Sequence, residues 1–193
     1  MLQTIWEINK QISLTLNNFV RNYWLEKITS VMADAPIFFV PGFLVAVWFY
    51  WNFKKNDEKK KDLIFMFFAA VGAIITNLIV QQFVEEARPE TLVQPLIDHI
   101  PDASFPSDHA AVSVAFLVSL YLFGYKKTFW VYLPFVVLMN VSRIAAGVHW
   151  FFDVIIGVFV GIFWAFLMKK LRKNKILNKI ANFFIKLAKI FKL

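Results

Sequence analysis

The sequence predicts an all-α, integral-membrane helical bundle of five or six transmembrane helices, preceded by an amphipathic N-terminal helix and followed by a basic amphipathic tail. Three observations carry this expectation. Hydrophobic residues make up 59 % of the 193-residue chain and its mean hydropathy is +0.58, above the roughly half-apolar composition of soluble domains. The apolar residues fall in long blocks that approach the ~20 residues a helix needs to span a bilayer. The 23 Phe and seven Trp suit lipid-facing helices with aromatic anchors at the interfaces. The length suits a single domain, 1–193. The chain has no Cys, which excludes disulfides and thiolate metal sites.

The elements follow in order. Residues 1–34 carry Trp6, Ile12, Leu16, Phe19 and Val20 at near-helical spacing, with Glu7, Lys10, Asn17 and Arg21 between them. That is an amphipathic pattern, read as a helix in the interface or packed on the bundle, with a sixth, broken span as the alternative. No basic segment, apolar run and small-residue cleavage site follow Met1, so no removable signal peptide is expected. Five blocks read as spans within 36–168, at roughly 36–53, 63–84, 108–125, 128–147 and 151–168. The second has Gln81 and Gln82 near its end. The fifth has Asp153 in its first turn, so that turn is not plain lipid-facing helix. The tail, 169–193, places Ile176, Leu177, Ile180, Phe184, Leu187, Ile190 and Phe191 at spacings of three and four, with Lys175, Lys179, Lys186 and Lys189 between them. Such a helix suits the surface of an anionic membrane.

Charge orients the bundle. Lys54, Lys55, Lys59, Lys60 and Lys61, then Lys126 and Lys127, then the Lys-rich tail fall on one side if all five blocks span. The positive-inside rule makes that side cytoplasmic. The opposite side carries Glu85, Glu86, Glu90, Asp98, Asp102 and Asp108, with Arg88 among them. The net charge of +8 is thereby explained by membrane orientation, and no nucleic-acid partner is expected.

Three polar clusters fall on the acidic, outer side: Arg88-Pro89, Pro106-Ser107-Asp108-His109, and Ser142-Arg143 followed by His149 and Asp153. Arg and His at membrane depth are costly, and function is the default reason for them. Ser107 reads as an N-cap, and the helix start behind it offers N–H groups and a positive dipole end to a phosphate. Two Arg can grip phosphate oxygens bidentately. His149 and Asp153 share a face if the helix reaches back to His149. A carboxylate there can bond one imidazole nitrogen, fix the tautomer and leave the other nitrogen to attack. His109 supplies a second imidazole as an acid. These groups make an anion cradle, a nucleophile with its orienting carboxylate and a proton donor, which reads as phosphoryl transfer. No Asp/Glu/His set has the spacing of a two-metal phosphatase, so neither metal nor cofactor is expected. Asp108 is read either as a charge favouring the helix dipole or as a substrate contact. Glu86 is read either as a solvated loop acid or as a supporting group. His99 reads as a loop histidine.

These residues resemble the type 2 phosphatidic acid phosphatase superfamily. Ser142-Arg143-Ile144-Ala145-Ala146-Gly147-Val148-His149-Trp150-Phe151-Phe152-Asp153 looks like its third signature, S-R-x5-H-x3-D. Pro106 to His109 resembles its second, P-S-G-H, and Arg88-Pro89 the end of its first, K-x6-R-P. The likeness covers about residues 63–168. Two positions depart from the pattern: Gln81 stands where the family has lysine, and Asp108 where it has glycine. Both departures, with Glu86 two residues before Arg88, resemble the undecaprenyl-diphosphatase branch linked to bacitracin resistance.

The resemblance implies that His149 attacks phosphorus to form a phosphohistidine, Asp153 orients it, and His109 protonates the leaving oxygen. It further implies that Arg88, Ser107 and Arg143 hold the phosphoryl oxygens, with Asp108, Ser142, Glu86, Gln81 and Gly147 as supporting positions. The implied enzyme removes the terminal phosphate of undecaprenyl diphosphate at the outer face of a bacterial cytoplasmic membrane, with membrane lipids and a polyprenyl or phospholipid substrate as partners and the basic tail cytoplasmic. The alternatives are a phosphatase of phosphatidic acid, phosphatidylglycerol phosphate or lipid A, and a transporter that binds a lipid headgroup without turnover. A soluble haloperoxidase shares similar signatures, but five spans argue against it.

Overall fold

In the computed structural model, which describes residues 2–98 and 103–191, the chain is helical and those residues contain no strand. His99 and Asp102 lie outside the described residues. The helices are α1 (Leu2–Asn22), α2 (Glu26–Asp34), α3 (Phe39–Phe53), α4 (Asp57–Gln81), α5 (Asp108–Leu122), α6 (Lys126–Ala145), α7 (Phe151–Leu171) and α8 (Lys175–Ile190).

Among the described residues four stretches are long and apolar enough to cross a membrane: Glu26–Phe53, Asp57–Gln81, Lys126–Ala145 and Phe151–Leu171. The first extends well N-terminal of the expected 36–53. A short 3-10 segment, Ala35–Phe38, joins α2 to α3 with Pro36 near its start. Proline is tolerated there because the first-turn N–H groups have no intrahelical partner. Asp34 and Pro36 therefore bend a continuing apolar segment where the sequence suggested a boundary.

The helix expected at 108–125 is shorter. With 15 residues, α5 rises about 22 Å at ~1.5 Å per residue, less than the ~30 Å of hydrocarbon. It is also the core of the bundle, packed against α4, α6 and α7. Ala110, Ala111, Ala115 and Phe116 are fully buried, so α5 touches mostly protein. Small residues let α7 lie directly on it. A Cβ on Gly157 would come within 2.6 Å of the Ser107 carbonyl oxygen, and one on Gly161 within 2.5 Å of that of Ala111. Close backbone approach of this kind is how helices pack where lipid supplies no hydrophobic drive. The outward surfaces of α4, α6 and α7 keep exposed Phe67, Leu78, Val137, Leu138, Phe159 and Phe163.

Residues 1–34 form two helices rather than one amphipathic element, and the buried stripe of α1 is not its apolar one. Asn9, Ser13 and Asn17 face inward with Val20, while Trp6 and Phe19 are exposed. The polar stripe meets open backbone. Asn9 Oδ1 accepts from the Phe152 N–H (2.9 Å), Ser13 Oγ accepts from the Phe151 N–H (3.0 Å), and Asn17 Nδ2 donates to the Ala145 carbonyl (2.7 Å). Helix α1 thus satisfies the first turn of α7 and the last turn of α6.

The tail also divides. Helix α8 buries Ala181 and Ile185, with Phe184 against Phe68 of α4, while Ile176, Ile190 and Phe191 remain exposed. Part of the expected lipid-facing set is thereby taken up by the bundle.

Candidate active site

The three polar clusters meet at one end of the bundle, where two irregular segments cross the mouth. The segment after α4 is held by main-chain bonds, within itself and to the end of α6. Ser104 N–H donates to the Glu86 carbonyl at 2.8 Å, and Leu96 N–H to the Ala146 carbonyl at 2.9 Å. The buried Arg88 ties both segments to the turn before α7, donating from Nη1 to the Val148 carbonyl at 2.5 Å and from Nη2 to the Ala103 carbonyl at 3.4 Å. Trp150 Nε1 donates to the Ala87 carbonyl at 2.8 Å.

The turn itself depends on Gly147. Its φ is +76°, and a Cβ there would lie 2.9 Å from Val93 Cγ2. An L-residue would meet both backbone strain and a clash. The turn delivers His149, buried at 3 % exposure, two residues ahead of α7. The helix does not reach back to His149, which changes how its partner works. His149 Nδ1 lies 2.9 Å from the Ser104 carbonyl and 3.6 Å from Asp153 Oδ2. The carbonyl can only accept, so Nδ1 carries the proton and Nε2 keeps its lone pair. Asp153 does not bond the ring, contrary to the spacing argument. Its carboxylate accepts from the Ser104 hydroxyl and from the Trp150 N–H at 2.8 Å. Asp153 therefore positions Ser104, and Ser104 orients the ring. Burial, then the charges of Arg143 and Arg88, hold His149 well below the ordinary imidazole range, so it is neutral at pH 7.

Arg143, on the last turn of α6, faces His149 Nε2 through Nη2 at 3.3 Å. Its Nη1 donates to Asp34 Oδ1 of α2. His109 approaches the same oxygen, with Nε2 at 3.2 Å. The two imidazoles thus flank one arginine and one carboxylate. Ser107 sits at the N-cap position of α5, but its buried hydroxyl caps nothing and has no hydrogen-bond partner among the described residues. Arg143 Nε is buried in the same condition. Such orphaned donors are rare in folded proteins and call for a functional explanation. The Ser107 N–H donates to the Asp153 carbonyl at 3.1 Å.

The supporting positions separate. Asp108 Oδ1 accepts from Asn77 Nδ2 of α4 at 2.8 Å, and Gln81 Nε2 lies 3.5 Å from the Pro106 carbonyl. Gln81 therefore braces the loop before α5. Ser142 is buried, its carbonyl accepting from the Ala146 N–H at 2.8 Å. Glu86 is half-buried, and burial followed by the charge of Asp153 pushes its carboxyl up to about 7. It lines a cavity of ≈ 390 Å³ with Trp6, Lys10, Glu85, Thr91 and Trp150. Among the described residues no three His, Asp or Glu side chains converge as metal ligands.

Sequence reasoning missed Asp34, Ser104, Asn77 and the capping stripe of α1. Asn9, Ser13 and Asn17 at i, i+4 and i+8 were a legible signal, since polar residues on one helix face imply a polar contact. An acid two residues before a proline in an apolar run was the only mark of Asp34. Ser104 works largely through its main-chain carbonyl, which no side-chain pattern reports.

The arrangement offers a neutral nucleophilic nitrogen beside a guanidinium, an orphaned hydroxyl at a helix start, and a second imidazole opposite. That set suits attack on a phosphoryl group with its oxygens held by fixed donors. Comparison with known proteins points the same way. Residues 62–177 match the PAP2 superfamily. The "Bacitracin transport permease protein BcrC" of Bacillus licheniformis is 30 % identical over 162 residues, covering 81 % of this chain and 76 % of the relative. The "Undecaprenyl-diphosphatase BcrC" of Bacillus subtilis is 29 % identical over 148 residues, covering 76 % and 74 %. The crystal structure of a transmembrane PAP2 type phosphatidylglycerolphosphate phosphatase from Bacillus subtilis superposes with a TM-score of 0.69 at 23 % identity, covering 89 % of this chain and 88 % of that one.

Proposed function

This chain belongs to the PAP2 superfamily, and on that premise we propose that it hydrolyses undecaprenyl diphosphate to undecaprenyl phosphate through a phosphohistidine. The observation that carries the chemistry is the setting of His149. Its Nδ1 faces the Ser104 carbonyl at 2.9 Å, and its Nε2 lies 3.3 Å from Arg143 Nη2. Nε2 attacks the terminal phosphorus, an N–P bond forms, and the P–O bond to the bridging oxygen breaks. Undecaprenyl phosphate leaves on that oxygen with a proton from His109. Water, deprotonated by His109, then attacks phosphorus; the N–P bond breaks and orthophosphate leaves. Ser107, Arg143 and Arg88 stabilise the equatorial oxygens by direct bonds or by charge. Asp153 acts through Ser104 to keep the ring in its attacking tautomer.

The choice of lipid rests on Asp108 and Gln81, the two departures from the superfamily pattern, and on the printed names of the Bacillus relatives. The Lys-rich loops support a cytoplasmic placement for the end opposite the site, and hence an outward-facing site in a bacterial cytoplasmic membrane. The fold likeness to a phosphatidylglycerolphosphate phosphatase supports phospholipid monophosphates as the second reading. The phosphate machinery contacts no lipid tail, so it serves either substrate.

The test is phosphate release by the purified chain in detergent from undecaprenyl diphosphate, phosphatidic acid, phosphatidylglycerol phosphate and lipid A. Undecaprenyl diphosphate should give the highest kcat/KM, activity should persist in EDTA, and vanadate should inhibit. Release from none of the four lipids would favour a headgroup-binding transporter, and activity lost in EDTA and restored by Mg²⁺ would remove the metal-free mechanism.

A further inference from the structure

Asp34 belongs to none of the three clusters, yet its carboxylate reaches the centre of the site. It ends α2, where the neighbouring Ala33 is fully buried against Ala146 and Val148 of the turn that carries His149. One oxygen, Oδ1, takes both Arg143 Nη1 and His109 Nε2, the latter at 3.2 Å. The other Arg143 nitrogen, Nη2, faces His149 Nε2. Arg143 is 5 % exposed while Asp34 is 41 % exposed, so the arginine is fixed in the protein and the acid enters from the open side. A phosphoryl group attacked by His149, with its leaving oxygen protonated from His109, must touch Arg143 and lie between the two imidazoles. The Asp34 carboxylate already bonds two of those three groups.

We propose that Asp34 is a displaceable stand-in for the substrate phosphate, a positioning residue that holds Arg143 and His109 in register and yields its place when the phosphate arrives. The proposal rests on the phosphatase reading of this site. A carboxylate presents a planar pair of anionic oxygens much like one edge of a phosphate, and arginine accepts either. Both anions cannot hold Arg143 and His109 at the same distance, because two like charges ~4 Å apart repel strongly even at the effective dielectric of a protein surface. Asp34 therefore competes with every anion that enters. It orders the empty site and weakens binding of the incoming phosphate and of the orthophosphate that must leave.

The experiment measures inhibition by orthovanadate and by orthophosphate of the purified full-length chain, together with KM and kcat on its lipid substrate. In Asp34→Asn the inhibition constants should fall about tenfold, equivalent to about 1.4 kcal/mol, KM should fall with them, and kcat should change far less. Asp34→Glu keeps the charge and should bring the constants back toward wild type. Asp34→Ser supplies a second neutral variant should the asparagine chain not fold. Thermal stabilisation by orthophosphate, which needs no turnover, should grow in either neutral variant. Unchanged or weaker anion binding in the neutral variants would overturn the proposal, as would a large loss of kcat with KM unaltered. A wild-type chain that neither releases phosphate nor binds vanadate would instead remove the phosphatase reading itself.

Discussion

The two ends of the bundle hold their charges in opposite ways. At the site end, Arg88, Arg143, His149 and Asp153 are buried, and several of their bonds go to main-chain atoms of irregular segments. Ser107 Oγ, Arg143 Nε and Asp153 Oδ1 are buried with no partner among the described residues. At the other end, Arg172 bonds Asp62 and Glu58, each at 2.9 Å, and lies over Phe65. Lys61 pairs with Glu58, and Lys189 with Asp57 at 2.6 Å. Trp51 Nε1 donates to Tyr125 Oη at 2.8 Å. Here most of the ions are side chains paired with side chains near the surface, each worth little; the exception is Lys60, which is buried and held by Asp57 and Asn52. A site that must bind an anion keeps donors incompletely used, and the rest of the bundle supplies the stability to hold them there.

The comparison breaks most visibly at His149. On the proposed mechanism His149→Ala leaves no route to a covalent intermediate, and kcat on any substrate should fall at least about 10³-fold. His109→Ala should lose about 10²- to 10⁴-fold on a lipid monophosphate, less on a lipid diphosphate, and least on an aryl phosphate, whose oxygen leaves without help. Steady-state kcat/KM across the three substrates makes the distinction. Equal losses for His109→Ala on all three would remove its role as the acid, and residual turnover by His149→Ala would remove the nucleophile.

A smaller effect should appear at Glu86, whose carboxyl is pushed up to about 7 from 4.5, first by burial and then by Asp153. The folded state then holds a proton that the unfolded chain releases as pH rises from about 4.5 to about 7. Stability from this group should fall across that window and level off above it. His149 has the opposite sign, being lowered by burial first, so the difference between wild type and Glu86→Gln isolates the glutamate. Melting temperature from pH 4.5 to 8 should fall more steeply for wild type than for the variant. Parallel curves would mean that Glu86 is hydrated and ionised throughout.

The smallest effect belongs to the opposite end. Arg172→Gln breaks two part-exposed ion pairs, worth up to about 1 kcal/mol each, so Tm should fall by only a few degrees, ~2–4 °C per kcal/mol for a chain of this size. Because Arg172 lies at the other end of the bundle, kcat/KM should be unchanged. A drop in turnover without a drop in Tm would show that the two ends are coupled, contrary to the separation drawn above.

Much of the molecule was legible before any coordinates. Apolar blocks marked the long helices because a bilayer demands ~20 apolar residues in a row. The spacing of Ser142, Arg143, His149 and Asp153 marked the third cluster because phosphoryl chemistry needs those groups close together. Other features were misread for definite reasons. Pro36 looked like a boundary, yet proline fits the first turn of a continuing helix. The apolar stripe of α1 looked like its inner face, yet Asn9, Ser13 and Asn17 are inside because the ends of α6 and α7 need partners.

By itself, then, the sequence determined the class of fold, the end of the bundle where chemistry sits, and the residue types available there, since these depend on composition and on spacing along one chain. The tertiary structure alone decided who touches whom. It placed Ser104 as the link between His149 and the acid expected to orient it, its carbonyl facing the ring and its hydroxyl the carboxylate, and it swung Asp34 in from α2 to bridge Arg143 and His109. Contacts between residues some 45 to 109 positions apart are set by how helices pack and where irregular backbone leaves carbonyls open. No local periodicity records either of these.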